Sequence, residues 1–112
     1  MNINQKIEQA LSGITKNIYP LSHPYEENKP EMYIVYNPEL DEPGYHADDT
    51  DQEWVQSMQV HLFVKGNYIK LRKEIRDKLR DAGMNLTEIE TMYEKDTGYY
   101  HLCFSFYAEE DE

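Results

Sequence analysis

Apolar residues recur at helical spacing from the start of the chain. Ile3, Ile7, Ala10, Leu11 and Ile14 are separated by Asn, Gln, Lys and Glu, which predicts one amphipathic helix. Asn2 or Asn4 supplies its cap, and Gly13 or Asn17 its stop. A second stripe of Tyr68, Leu71, Ile75, Leu79 and Ala82 opens after Gly66-Asn67 and closes at Gly83, the position a helix C-terminus reserves for glycine. Elsewhere the period is two. Residues 32–36, Met-Tyr-Ile-Val-Tyr, make a short β-branched and aromatic strand. In residues 54–64, Met58, Val60, Leu62 and Val64 alternate with Ser57, Gln59 and His61, while Phe63 is a misfit on the polar side. Residues 86–93 alternate poorly, with Leu86 and Ile89 out of phase, so a bulge is expected. Residues 99–107 alternate well and put Tyr100, Leu102, Phe104 and Phe106 on one face. The link 94–98 has turn chemistry and joins these two strands as a hairpin.

The remaining segments deny regular structure. Residues 18–25 hold Pro20 and Pro24 and read as an extended connector, followed by a polar loop over 26–31. Residues 37–53, NPELDEPGYHADDTDQE, carry seven acids and no base. They read as a long acidic loop, and a connection of that length is usually functional or disordered. Residues 109–112 form an acidic tail. The order is helix, strand, long loop, strand, helix, strand, strand. It predicts a single α+β domain over 1–112: a four-stranded, mainly antiparallel sheet with both helices packed on one face.

Composition narrows the class. The chain has 112 residues, enough for one domain. With 39% hydrophobic residues and ten tyrosines it is too aromatic for a disordered chain. No apolar run approaches the roughly 20 residues of a membrane span, and the first residues lack the apolar core of a signal peptide. One cysteine, Cys103, suits a reducing compartment. A soluble, acidic, intracellular domain with no membrane partner is expected.

Charge adds a pattern. Twenty-two acids against eleven bases give a net −11, a surface that repels phosphate and disfavours non-specific nucleic-acid binding. Six of the eleven bases nevertheless fall within 70–81, which nets +3 and leaves −14 for the rest. Near-neighbour ion pairs such as Asp77 with Arg80, or Lys73 with Asp77, would make this an ordinary solvated face. As a whole pattern it also complements a copy of itself. Arg72, Lys73, Arg76 and Arg80 on one side would meet Asp41, Glu42, Asp48, Asp49 and Asp51 on the other, head to tail. Heterologous contacts of that kind close into rings where the rotation allows.

A search for chemistry returns little. His23, His46, His61 and His101 lack metal-ligand spacing to one another. His61, His101 and Cys103 would cluster if their strands were adjacent, but sheet-surface side chains explain them more simply. Cys103 lies mid-strand among aromatics, away from anything that would activate a thiol. The carboxylates of 46–53 lack the glycine and spacing of a calcium loop. No phosphate loop, serine nucleophile elbow or zinc-protease helix occurs. No catalytic residue, cofactor or metal is expected. The tyrosines serve equally well at an interface or on a partly wet sheet.

The framework of Ile18-Tyr19-Pro20-Leu21, Tyr33-Ile34-Val35-Tyr36 and Gln59-Val60-His61-Leu62-Phe63-Val64, set between the two helices, resembles the phage tail-completion and tail-terminator proteins. These are head–tail connection proteins of long-tailed phages and prophages. The resemblance implies a non-enzymatic virion component, assembled in the host cytoplasm. It implies a ring, hexameric in this family, that caps the tail tube and joins it to the head connector. Its partners would be further copies of itself, the tail-tube protein and the connector protein. An acidic lining would let DNA pass through the lumen without being gripped. A small acidic DNA mimic that inhibits a nucleic-acid enzyme is the competing class, and the basic second helix counts against it.

Overall fold

The computed structural model describes residues 2–20, 30–43 and 54–109. Their elements are α1 (Ile3–Leu11), β1 (Ile18–Pro20), β2 (Met32–Pro43), β3 (Trp54–Val64), α2 (Ile69–Asp81), β4 (Asn85–Tyr93) and β5 (Tyr100–Glu109). The strands form one sheet in the order β1-β2-β3-β5-β4. β1 runs parallel to β2, and every other pair is antiparallel.

Both helices pack on one face of this sheet. α1 is fixed at its start by a capping box: the Gln5 amide donates to Asn2 Oδ1 at 2.8 Å, and the Asn2 amide donates to Gln5 Oε1 at 3.0 Å. It stops at Leu11, ahead of the expected signals, and Ile14 reaches the core from the turn beyond. α2 ends in a Schellman arrangement, with Met84 N–H donating to Leu79 O and Gly83 N–H to Arg80 O. Gly83 takes φ 91°, which a Cβ would strain. Ile3, Ile7 and Leu11 from α1 and Ile75 and Leu79 from α2 enter one core with Ile34, Val60, Leu62, Leu102, Phe104 and Phe106. The Tyr36 hydroxyl donates to the Glu8 carboxylate and ties α1 to β2. Burial, helped by that bond, holds the Tyr36 phenol above its ordinary range.

The strand count and the loop need correction. The sheet has five strands and is mixed, because residues 18–20 pair with 34–36 instead of forming a connector. Asn17 anchors the pairing: its carbonyl accepts from Ile34 N–H at 2.8 Å, and its side chain donates to Met32 O at 3.2 Å. A three-residue edge strand tolerates Pro20 because its outer side needs no donor. The first part of the supposed loop is also strand. β2 continues to Pro43, with Asp41 opposite Gln56 and Glu42 opposite Val55. Pro38 immediately precedes a register shift and Pro43 ends the strand, and bulges and edges are where sheets accept proline. Glu109, assigned to the tail, is paired with Val55 as the last residue of β5.

Two local expectations agree with the structure. A register shift between Leu86 and Glu88 is the bulge expected in β4. The 94–98 link is a hairpin turn in which Gly98 takes φ 80°. Among the described residues, no helix is long and apolar enough to cross a membrane.

Candidate assembly surfaces

Two surfaces stand out once the sheet is assembled. The first is its helix-free face. The pleat places Tyr33, Phe63, His101 and Met92 in one row across β2, β3, β5 and β4, with Val35, His61, Cys103 and Glu90 in the next. Phe63 stacks on Tyr33 at 4.7 Å and 10°, and on His101 at 4.2 Å and 19°. Tyr99 meets both Tyr33 and Phe63 edge-on, at 5.5 and 6.2 Å, an arrangement the ring quadrupoles favour. Its hydroxyl donates to Pro30 O at 2.6 Å, and Lys65 Nζ lies 4.9 Å from its ring centroid. Burial pushes the Tyr33 phenol up to about 12, with the Tyr99 and Glu94 charges adding to it. Phe63 was the misfit of the sequence pattern, and it is the centre of this cluster.

His61 Nδ1 and His101 Nε2 lie 2.8 Å apart. One of these nitrogens must donate and the other accept, so the pair shares a single proton. On its far side His101 Nδ1 lies 3.8 Å from Glu94 Oε2. Burial pushes His61 down to about 4, and the His101 charge adds to the effect. Burial also lowers His101, opposed by Glu94 and Glu90. Cys103 is buried directly opposite His61, with Sγ 4.0 Å from Ser105 Oγ. Adjacency of the three residues is thus real, but among the described residues no three His, Cys, Asp or Glu side chains are arranged to hold a metal ion.

The second surface is basic. Arg72, Arg76 and Arg80 lie one turn apart on α2 and form one wall of an open groove of roughly 720 Å³. The opposite wall is the outer edge of β4 around Asn85, Thr87 and Glu88, with Tyr107 at its end. β4 is the last strand of the sheet, so this edge has no strand neighbour among the described residues. Asp77 pairs with its neighbour Arg76 at 3.3 Å, not with Arg80 or Lys73 as the helical spacing suggested. Lys73 is exposed on α2 but does not line the groove.

The acidic candidates are divided. Asp41 and Glu42 stand on β2, while Asp48, Asp49 and Asp51 lie outside the described residues. Of the tyrosines, Tyr33, Tyr36 and Tyr99 are core, and Tyr93 and Tyr107 are exposed.

No family model matches the sequence, and no curated protein matches it. The fold is similar to that of a chain in the solved virion of a native gene transfer agent (GTA) particle. The TM-score is 0.64 at 10% sequence identity, and the match covers 99% of this chain and 92% of that one. At that identity the likeness is one of fold.

Proposed function

We propose that this chain is a structural component of a phage-like virion, and within it the subunit that ends the tail tube. The observation that carries the reading is the fold shared, over nearly the whole of both chains, with a chain of a gene transfer agent virion. The sequence framework of the two helices and the strands around Val35 and Val60 supports the finer part, through its resemblance to tail-completion proteins.

The subunit would act by shape and charge and carry out no reaction. Copies assemble into a ring, a hexamer on this reading, that occupies the exposed end of the growing tube. Further tube subunits are then excluded and a docking surface is offered to the head connector. A net charge of −11 per copy suits a conduit that DNA must traverse without sticking. Asp41, Glu42, Asp48, Asp49 and Asp51 are the candidates to contact a neighbouring subunit or to face the lumen.

Particles produced without this protein test the reading directly. Electron microscopy should show tails of uncontrolled length, or heads and tails that do not join. Infectious or transferring particles with tails of normal length would overturn it.

A further inference from the structure

We propose that the groove between α2 and the β4 edge receives an acidic stretch of a second copy of this chain, Asp49-Thr50-Asp51-Gln52-Glu53. The inference deepens the assembly reading and rests on it only for the expectation that copies meet.

The groove is built for an extended anionic chain. Arg72, Arg76 and Arg80 recur every fourth residue on α2, a step of about 6 Å along a helix axis. Alternate residues of an extended strand are spaced by about 6.6 Å. Three carboxylates at alternate positions therefore match three guanidinium groups to within about 1 Å over the whole run. The sequence holds one stretch of three acids at alternate positions without an intervening base: Asp49, Asp51 and Glu53.

The chain also has charge left to offer. Arg72 and Arg80 have no ion pair among the described residues, and Arg76 holds only the adjacent Asp77. Glu88 is the single acid on the groove wall, so the lining stays net positive. Nucleic acid is the other polyanion of suitable spacing, but outside 70–81 the subunit nets −14 and repels it. A free strand edge accepts an extended segment through main-chain groups. Here the bulge between Leu86 and Glu88 confines such pairing to short runs on either side, which leaves the arginines to set the register.

The contact is heterologous, because groove and segment are different surfaces. That property supplies the test, on the full chain. One variant carries Arg72→Glu, Arg76→Glu and Arg80→Glu; the other carries Asp49→Arg, Asp51→Arg and Glu53→Arg. Light scattering at about 0.15 M salt, near physiological ionic strength, reads the association. Wild type should associate, and more weakly as salt rises. Each variant alone should associate at least tenfold more weakly, since three partly exposed pairs together are worth about one decade. The two mixed should regain the lost association, because each offers the charge that the other's groove or segment needs.

Should the glutamate variant not fold by circular dichroism, Arg72→Gln, Arg76→Gln and Arg80→Gln replaces it, with the same tenfold loss expected. Association of the variants at wild-type strength overturns the proposal. So does a mixture that restores nothing, the outcome if each groove is filled by its own chain's segment. Enhanced binding of duplex DNA by the segment variant, abolished by neutralising the groove, without recovered self-association, would assign the groove to nucleic acid and overturn the proposal as well. A protein that passes this test yet is dispensable for tails would instead remove the tail reading and leave the contact standing.

Discussion

Acidification should unlock the sheet at the shared proton between His61 and His101. A base whose pKa is lower in the folded than in the unfolded chain binds fewer protons when folded, at every pH between the two values. Its contribution is therefore complete above the unfolded value and is lost as the pH falls toward the folded one. For His61 the window runs from the ordinary 6.5 down to about 4. At pH 5 the unfolded imidazole is almost wholly protonated and the folded one almost wholly neutral, which corresponds to a loss of about 2 kcal/mol. The ring is only partly buried, and solvent screening reduces the expected loss to about 1 kcal/mol. Urea unfolding at pH 7 and pH 5 measures it. Many carboxylates titrate nearby, so the informative quantity is the difference between wild type and the His61→Gln, His101→Gln double variant. The double variant should lose about 1 kcal/mol less between the two pH values. Equal losses in both proteins would refute the assignment, and so would an NMR titration showing both imidazoles protonating near 6.5.

Three further outcomes follow from the packing and the caps. Leu79→Ala removes a fully buried side chain from the base of α2 and should cost about 2–5 kcal/mol by urea denaturation. Gly98→Ala meets open space but must hold φ 80°, so strain alone should lower stability by about 1 kcal/mol in the same assay. Asn2→Ala takes away one half of the capping box of α1 and should cost about 1 kcal/mol, with faster amide exchange confined to α1.

The sequence announces elements that bury one clear face and conceals those that sit at an edge. Ile75 and Leu79, or Val60 and Leu62, repeat often enough for their period to reveal the element. β1 has three residues, too few for any period, and exists because Asn17 and Ile18 find β2 beside them. Beyond Tyr36 the acids and prolines of β2 read as loop, although an edge with a bulge tolerates both. The helix-free face left two traces in the sequence, the misplaced Phe63 and the conditional grouping of His61, His101 and Cys103. Their meaning depends on β3 and β5 being neighbours, which no local pattern encodes. The arginine spacing on α2 is likewise legible, but the groove it borders exists only because β4 ends the sheet.

The placement of β5 between β3 and β4 has a consequence for how the molecule folds. β4 and β5 meet across a six-residue connection and can zip locally, whereas β3 and β5 are separated by all of α2 and β4. Joining them is the step that closes a long loop before any contact rewards it. That seam carries Met58 against Phe106, Val60 against Phe104 and Leu62 against Leu102 on one side, and His61 against Cys103 on the other. Substitutions along it should slow refolding, while those in β1 should mainly hasten unfolding, a contrast that chevron plots read directly. The imidazole pair sits on the same seam, so the charge that weakens the finished fold at low pH would also retard its making.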